Sequence, residues 1–379
     1  MGFQNGSFVL KPWDGRLINE HGGVFPLMED AARFERETGL PYFPDAHQFA
    51  DAYLPTDRSE EHGENVRRLY DLANAPRWYY RSVSIPKQSG GTRTLHIPYG
   101  TLKSVQHFLL HSVLERLPVS PCAVAYVRGV SLSESVHVHV GKPLLVRLDL
   151  KDFFDHIGFL QVYQNAFAAY PKAVRVLLSR LCTYTLPSGR SCLPQGAPTS
   201  PYLANLCMRR ADDAIYAYCA RRSIAYTRYA DDMTFSGSFE PERLIETVRS
   251  ILRREGGFEL NEEKTRILRA CRRQSVTGAV VNERPRASAT YRREIRQECF
   301  YCKKFGVRSH LLRTKKAPFV RPSESVKDGY YVSQTRYLEH LLGKINFTLS
   351  LDPKDREMRL CRKEVLLWLA ERNAAPRER

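Results

Sequence analysis

The chain contains 379 residues, of which 43% are hydrophobic and 26% are charged, and these ordinary globular values exclude wholesale disorder. Its 58 lysines and arginines outnumber its 41 aspartates and glutamates, so the net charge is +17. Because such a surplus attracts polyanions, the composition favours a nucleic-acid ligand over the alternative of a merely solvated charged surface.

The predicted elements begin after residues 1–65, which we expect to be an N-terminal extension with some helix. Beyond Arg284 the chain becomes more basic and more helical, which indicates a separate subdomain facing nucleic acid. Between residues 65 and 284, apolar periodicity and turn residues predict the elements in chain order. The first are strands at Tyr79–Pro86 and Thr92–Pro98 around a glycine turn, a helix over 101–117 and a buried strand at Leu144–Leu150. They are followed by a helix from Phe159, a polar turn at Pro187–Ser191, a helix at Tyr202–Ala220, a strand–turn–strand unit at Ile224–Gly237 and an amphipathic helix closed by Gly256 and Gly257.

The sequence also bears on the compartment. No stretch approaches the roughly eighteen apolar residues of a membrane span, and the N-terminal sequence lacks the regions of a signal peptide, so we expect neither. The nine cysteines suit a reducing cytoplasm. Cys299 and Cys302 have C-x-x-C spacing, but a zinc site needs a second such pair, so we expect ordinary thiols.

Three aspartates occupy positions where a charged carboxylate is energetically unfavourable. Asp149 ends the apolar strand, and Asp231 and Asp232 are neighbours in the hairpin turn. A carboxylate next to so much apolar sequence is costly to desolvate without a cation, and adjacent carboxylates repel. A pair of Mg²⁺ ions relieves both costs and can drive an in-line displacement at phosphorus. Taken singly, each feature also fits a simpler interpretation, a solvated turn or a helix cap.

Three motifs together resemble a known family. RLDLKDFF, LPQGAPTSP and RYADD are similar, in order and spacing, to the motifs of reverse transcriptases, and within them of the bacterial branch. The resemblance runs from about Tyr79 to Thr348. It implies an α+β right-hand polymerase with an antiparallel palm sheet and a helical, basic thumb. The implied domains are the extension at 1–65, the fingers and a retron-specific region at 66–143, the palm with part of the fingers at 144–282, and the thumb with the basic C-terminal region at 283–379.

The resemblance assigns catalytic roles to the acidic residues. Asp149 and Asp231 would bridge two Mg²⁺ ions, with Asp232 as a further acidic group and the Leu150 carbonyl as a backbone ligand. Lys264 matches a palm lysine proposed to protonate the pyrophosphate leaving group, and the alternative for it is a simple lysine at a helix end.

The resemblance also assigns nucleotide contacts. Lys87 and Arg93, brought together by the glycine turn, would hold the triphosphate, unless the hairpin is only a solvated edge. Phe154 matches the aromatic position under the sugar, where a ring disfavours ribose, and its alternative is a buried core residue. Gln195 and Gly196 open the segment that positions template and nucleotide, for which a proline-rich loop is the alternative.

Further segments resemble the retron reverse transcriptases. Val276, Thr277 and Gly278 form the V-T-G triplet that helps these enzymes recognise their RNA, although a strand ending in a glycine turn would look similar. Val127–Lys142 resembles the retron-specific region, but where retrons usually have N-A-x-x-H this chain has Ser-Val-His-Val-His, and only His139 matches. Leu342–Phe347 resembles a retron thumb segment.

The function implied is RNA-directed DNA polymerisation. Such enzymes copy part of a cognate structured noncoding RNA into single-stranded DNA and work in phage defence. The implied partners are that RNA and its cDNA, deoxynucleoside triphosphates and an effector protein. A second copy of the chain is a further candidate partner, the oligomeric state being left open by the sequence, and no membrane is expected. Three alternatives stay open at this point: a non-retron bacterial defence enzyme, a group II intron-like reverse transcriptase, and a noncatalytic RNA-binding scaffold.

Overall fold

In the computed structural model, the described residues are 3–4, 7–8, 27–53, 59–86, 90–323 and 329–374. The chain divides into two compact units. The first unit comprises Met1–Val130, Val146–Phe235 and Phe239–Arg266, and the second comprises Ser131–Leu145, Ser236–Ser238 and Ile267–Arg379.

Helices account for most of the regular structure. Three of the helical segments are short 3₁₀ turns, at Pro76–Tyr79, Leu114–Arg116 and Glu262–Lys264. The α-helices, in chain order, are α1 (Leu27–Thr38), α2 (Ala46–Tyr53), α3 (Ser59–Asn74), α4 (Gly100–Ser112), α5 (Leu132–His137), α6 (Phe153–His156), α7 (Phe159–Asn165), α8 (Lys172–Cys182), α9 (Ser200–Ala220), α10 (Pro241–Gly256), α11 (Ala289–Phe305), α12 (Val307–Thr314), α13 (Gln334–Leu351) and α14 (Arg356–Ala374).

The strands form one four-stranded sheet and several small ones. The strands, in chain order, are β1 (Phe3–Gln4), β2 (Ser7–Phe8), β3 (Tyr80–Pro86), β4 (Thr92–Pro98), β5 (Leu144–Asp149), β6 (Tyr184–Thr185), β7 (Ser191–Cys192), β8 (Ala225–Tyr229), β9 (Asp232–Gly237), β10 (Arg266–Arg269), β11 (Ser275–Val276), β12 (Ala279–Val280), β13 (Arg286–Ala287), β14 (Val320–Pro322) and β15 (Tyr330–Val332).

The four-stranded sheet has the order β10–β5–β9–β8. Strand β5 is buried at every position except Arg147, as its unbroken apolar run predicts. Strands β8 and β9 are joined by a turn of only two residues, Ala230 and Asp231, so they run antiparallel. This sheet therefore brings the end of β5 next to the β8–β9 turn.

Helix α10 shows how local sequence sets an element's bounds. Pro241 occupies its first turn, where a missing N–H costs nothing, and Gly257 ends it with a left-handed φ of 68°. The residues between them bury Leu244, Val248 and Leu252 on one face. The predicted amphipathic helix is thereby confirmed, including its glycine end.

The β3–β4 hairpin is regular over its whole length. Seven residue pairs join the strands, from Tyr80 opposite Pro98 to Pro86 opposite Thr92. The predicted strands are confirmed to within one residue. Lys87, in the turn, lies outside the described residues.

The second unit holds two buried clusters of side chains. One cluster packs α11 to α14 against one another and includes Ile295, Leu311, Tyr337 and Met358. Cys299 and Cys302 lie buried in that cluster as free thiols on α11. None of the helices that the structure describes combines the length and the apolar character needed to cross a bilayer.

The other buried cluster of the second unit lies around the β11–β13 sheet. It includes Val136 from α5 and Leu351 from α13 beside residues of the three strands. The predicted helical character beyond Arg284 is confirmed, because α11 to α14 follow that residue.

Candidate active site

The first acidic residue ends the buried strand β5. Asp149 is only 7% exposed, and its two carboxylate oxygens accept hydrogen bonds from Lys264 Nζ at 2.8 and 3.0 Å. The backbone brings Lys264 there, because Asn261 N donates to the Asp149 carbonyl at 2.8 Å and Lys264 follows in the next turn. A carboxylate this buried needs a compensating cation, and the ammonium of Lys264 supplies one.

The second acidic residue lies in the turn between β8 and β9. Leu150 N donates to the Asp231 carbonyl at 3.0 Å, which fixes the turn beside the residue that follows Asp149. Burial raises the pKa of Asp231, and the negative charge of Asp149 raises it further, ahead of that of Asp232. The carboxylates of Asp149 and Asp231 therefore lie close enough to repel each other.

The third acidic residue has a different neighbour. Arg147 Nη2 donates to the two carboxylate oxygens of Asp232 at 3.2 and 3.1 Å. Because side chains alternate along a strand, Arg147 lies on the same face of β5 as Asp149. The sequence interpretation missed Arg147, although a lone cation within the apolar run of β5 was the available signal.

The carboxylates form a partial set of metal ligands. Among the described residues, no group of three or more histidine, cysteine or acidic side chains could hold a metal ion. The structure brings Asp149 and Asp231 together and pairs Asp232 with Arg147. Two carboxylates fit Mg²⁺, which in proteins often takes one or two of them and completes its shell with water and substrate phosphates.

A buried ion pair between Arg228 and Asp212 stabilises the β8–β9 turn. Arg228 and Asp212 are both fully buried, and the guanidinium bonds the carboxylate through Nε at 2.9 Å and through Nη2 at 2.5 Å. Arg228 Nη1 also donates to the Ala230 carbonyl at 2.9 Å, one residue before Asp231. Ala230 has a left-handed φ of 56°, which an alanine adopts only at a cost. The sequence interpretation used Arg228 as part of a motif and missed this contact.

The LPQGAPTSP segment rests against strand β4. His96 N donates to the Gln195 carbonyl at 2.7 Å. A side chain at Gly196 would meet Ile97 Cγ1 at 3.2 Å and the His96 carbonyl at 3.3 Å, and the φ of Gly196 is 114°. Glycine is therefore required here by both backbone conformation and close approach.

Phe154 follows the first motif on helix α6. Its carbonyl accepts a hydrogen bond from Leu193 N at 3.1 Å, which joins the RLDLKDFF and LPQGAPTSP segments. Its ring packs edge-on against Phe153 at 5.4 Å between centroids, and the residue is partly exposed. Phe154 is thus only partly buried, and its place under the sugar stays a prediction.

An exposed tyrosine, Tyr126, lies within electrostatic range of the hairpin and of the acidic turn. Burial raises the pKa of Tyr126, the charges of Tyr229 and Asp231 raise it further, and Arg93 lowers it. Tyr126 is therefore within electrostatic range of both Arg93 and Asp231. Its ring lies 6.4 Å from that of Tyr229, and its φ is 63°. No signal in the sequence pointed to Tyr126.

The predicted RNA-binding residues lie in the second unit. Thr277 and Gly278, with φ values of 46° and 88°, form a two-residue turn between β11 and β12, and Val276 is buried beside it. His139 is fully buried, and its Nδ1 lies 2.8 Å from Ser236 Oγ. A side chain this buried cannot touch RNA directly, so any role of His139 in RNA binding has to act through its support of the surrounding segment.

The chain matches a family of polymerases. Residues 85–304 fit the family model described as reverse transcriptase (RNA-dependent DNA polymerase). The chain therefore belongs to the reverse transcriptase family and is an RNA-directed DNA polymerase with the right-hand fold.

Curated relatives narrow the type. The chain is 37% identical to the retron Mx65 reverse transcriptase of Myxococcus xanthus over 67% of each protein, and 35% identical to retron Mx162 reverse transcriptase of the same organism over 54% of this chain and 47% of that one. It is 26% identical to the retron Ec86 reverse transcriptase of Escherichia coli over 84% of this chain and 88% of that protein. Within its family, the chain is thus of the bacterial retron type.

Membership answers the three alternatives that the sequence left open. A noncatalytic scaffold is wrong, because the chain is a polymerase. A non-retron defence enzyme and an intron-like enzyme are wrong as well, because the chain is of the retron type. Reverse transcriptases depend on divalent metal in general.

Proposed function

We propose that this enzyme uses two Mg²⁺ ions to copy part of its own structured noncoding RNA into single-stranded DNA. The main observation behind the proposal is that two carboxylates lie together: Asp149, buried at the end of β5, and Asp231, in the β8–β9 turn. The hydrogen bond from Leu150 N to the Asp231 carbonyl holds the turn next to the end of β5. Retron-type membership supports a DNA product copied from an RNA template.

We assign the metal ligands to Asp149, Asp231 and the Leu150 carbonyl. Bound there, the ions would activate the primer hydroxyl and stabilise the charge that develops on the phosphates. Asp232 would act less directly, because Arg147 already holds its carboxylate. Its charge keeps the local potential negative and helps to attract the cations.

Lys264 would have two roles. In the structure its ammonium neutralises Asp149, and the hydrogen bond to that carboxylate raises the pKa of Lys264, so the amine stays protonated at neutral pH. A side chain that is 54% exposed and flexible can leave Asp149 when substrate arrives. It could then donate its proton to the departing pyrophosphate.

We assign nucleotide binding to the first unit. Arg93 is exposed on β4, within electrostatic range of Tyr126, and would hold the triphosphate together with Lys87 from the turn. The partly exposed ring of Phe154 would meet the sugar and disfavour a 2′-hydroxyl. Gln195 and Gly196 would position the templating base, because the bare backbone of Gly196 permits close approach.

We further propose that the V-T-G turn contacts the cognate RNA, and that the enzyme acts in phage defence with an effector protein. Thr277 and Gly278 in the turn can present their backbone to a ligand on a rigid support, whereas the buried Val276 would act by holding the turn in place. Substitutions at Val276, Thr277 and Gly278 should therefore impair use of the native RNA more than use of a generic primed template. Equal losses on both would contradict RNA recognition by this turn.

The central experiment replaces Asp231 by alanine. Asp231→Ala should abolish DNA synthesis while leaving RNA affinity within about twofold, because the carboxylate would act on the reaction and not on RNA binding. Asp213→Ala is the matched control, since Asp213 is exposed on α9 and paired only at 3.7 Å with Arg209. A variant of Asp231 that extends a primer at the parental rate would overturn the assignment.

A further inference from the structure

Helix α11 carries an unusual outer face. Its inner face buries Ile295, Cys299 and Cys302 in the core of the second unit. On its other side three aromatic rings reach solvent, with exposed fractions of 56% for Phe300, 41% for Tyr301 and 45% for Phe305. We call the surface formed by Phe300, Tyr301, Lys304 and Phe305 the aromatic platform.

The rings of the aromatic platform are already arranged side by side. Phe300 packs edge-on against Tyr301 at 5.5 Å between centroids, and Tyr301 lies nearly parallel to Phe305 at 6.2 Å. The buried ring of His310 supports Tyr301 from within, at 5.8 Å and an angle of 14°. Binding a flat ligand here would therefore require little reordering of side chains.

A lysine completes the aromatic platform. Lys304 Nζ lies 5.7 Å from the ring centre of Phe300 and 5.2 Å from that of Phe305. Its neighbour Lys303 pairs with Glu364, whereas no ion pair involves Lys304 among the residues that the structure describes. The platform thus presents apolar ring faces around one uncompensated positive charge.

We propose that the aromatic platform binds unpaired bases of the RNA, stacking them on Phe300 and Phe305 while Lys304 meets the adjoining phosphate. Exposed aromatics on a monomer surface indicate a binding site, and a polyanion matches both Lys304 and the net charge of +17. Proteins read single-stranded RNA by stacking its bases on aromatic side chains, whereas a duplex hides the faces of its bases. The RNA must be bound before any DNA exists, which favours RNA over the product strand.

This inference rests on RNA being the enzyme's ligand, but not on the catalytic roles proposed for the aspartates. A binding assay therefore tests it separately. The full-length protein, freed of nucleic acid, is titrated with a labelled 12-nucleotide single-stranded RNA, the same sequence as DNA, and an RNA duplex, and fluorescence anisotropy is measured. Asp231→Ala should bind all three like the parent.

Two variants carry the test of the stacking. Phe300→Ala and Phe305→Ala should each weaken binding of the single-stranded RNA by about five- to tenfold, toward the lower end of what one stacked base contributes. The duplex should bind as before. Leu360→Ala is the matched control, because Leu360 is an apolar residue at least as exposed as the two phenylalanines, at 65%, on α14 of the same unit.

A third variant separates the charge from the rings. Lys304→Gln should make the salt dependence of single-strand binding shallower by about 0.7 in the logarithmic slope, as expected for one lost phosphate contact. The two ring variants should leave that slope unchanged. Phe300→Leu, which keeps an apolar contact but removes the ring, should behave like Phe300→Ala.

Three results would overturn the inference. The first is unchanged RNA binding in both ring variants at parental thermal stability. The second is a loss confined to the DNA strand, which would assign the surface to the product. The third is unchanged RNA binding with loss of a co-purifying protein or of self-association, which would make the platform a protein interface.

Discussion

At the scale of single residues, the acidic site depends on groups that do no chemistry themselves. Arg228 and Asp212 hold the carbonyl that precedes Asp231, and both are fully buried. Tyr226 adds a hydrogen bond to the same carboxylate at 2.8 Å. A buried ion pair gives little net stability, but removing one partner leaves an uncompensated charge. The turn that carries Asp231 should therefore be sensitive to either partner.

We predict that Asp212→Asn destabilises the enzyme and lowers its turnover. Losing the carboxylate leaves Arg228 buried without its counter-charge, which should cost about 3 kcal/mol in the free energy of unfolding, measured with urea. A displaced turn should also lower kcat by more than it raises KM. The neighbouring Asp213→Asn is the control, because that exposed ion pair should contribute less than about 0.5 kcal/mol. Equal effects of the two variants would show that the buried ion pair does not stabilise the turn that carries Asp231.

We also predict that Gly196→Ala impairs nucleotide use more than its cost in stability explains. Gly189 offers a matched comparison, because its φ is 83° but a side chain there would meet nothing within 4 Å. Gly189→Ala should therefore report backbone strain alone, about 1 kcal/mol. Gly196→Ala adds the contact with Ile97 and His96, so its KM for deoxynucleotides should rise severalfold in steady-state assays. Parental kinetics for Gly196→Ala would contradict a positioning role.

At the scale of elements, the β11–β12 hairpin stands out for an unfavourable residue. A two-residue turn with both φ values positive favours Asn-Gly, whereas this one has Thr277 before Gly278. Thr277 is β-branched at a φ of 46°, and its buried hydroxyl has no hydrogen-bond partner among the described residues. A residue that costs stability in a turn is expected where it serves a ligand.

We therefore predict opposite effects of Thr277→Asn on stability and on RNA use. Asparagine relieves the strain, so the free energy of unfolding should rise by about 0.5–1 kcal/mol in urea titrations. Initiation on the native RNA should fall, while extension of a generic primed template should not. A variant that is more stable and equally active on both substrates would refute a role of the Thr277 side chain in recognition.

Helix α5 and the segment after it contain a buried histidine whose ionisation is coupled to folding. Burial and, to a smaller extent, the positive charge of Lys142 together lower the pKa of His139 to about 4. The unfolded chain then binds the proton more readily than the folded one. The stabilising effect of a neutral His139 is complete above pH 6.5, the ordinary pKa of histidine, and is lost as the pH falls toward about 4.

We predict that His139→Asn flattens this part of the stability profile. The parent should lose on the order of 3 kcal/mol of unfolding free energy between pH 6.5 and 4 through this group, and the variant should not. His137→Asn is the control, because His137 lies exposed at the end of α5, two residues before His139. The free energy of unfolding is measured at several pH values. Parallel profiles for parent and His139→Asn would contradict the lowered pKa.

The elements also show which features can be predicted from sequence. Strand β5, the β3–β4 hairpin and α10 were predictable, because apolar periodicity, a glycine turn and capping residues act over a few neighbours. The convergence of Asp149 and Asp231 was predicted from motif resemblance. The Arg147–Asp232 pair, the support of Ala230 by Arg228 and the position of Tyr126 were not, because they depend on strand order and long-range packing. The burial of His139 likewise follows from its tertiary neighbours and has no local signal.

At the scale of the whole molecule, charge is the dominant property. The chain has a net charge of +17, but its candidate active site is acidic. The protein as a whole therefore attracts RNA, whereas the active site attracts cations. Many of the cations are engaged in ion pairs, such as Arg292 with Asp355 and Lys303 with Glu364. The charges that remain unpaired determine how strongly RNA is attracted.

We predict a steep salt dependence of RNA affinity with a much weaker one for the chemical step. Contacts to only three phosphates of a single strand would give a logarithmic slope of about −2, which is about a 20-fold loss of affinity between 50 and 200 mM salt. Once RNA is saturating, the rate of DNA synthesis should change far less, because Asp149 is buried and screened little by salt. Filter binding gives the first quantity and single-turnover extension at saturating RNA gives the second. Binding that is insensitive to salt would mean that the positive surface does not contact the RNA backbone, and the charge would then need another ligand.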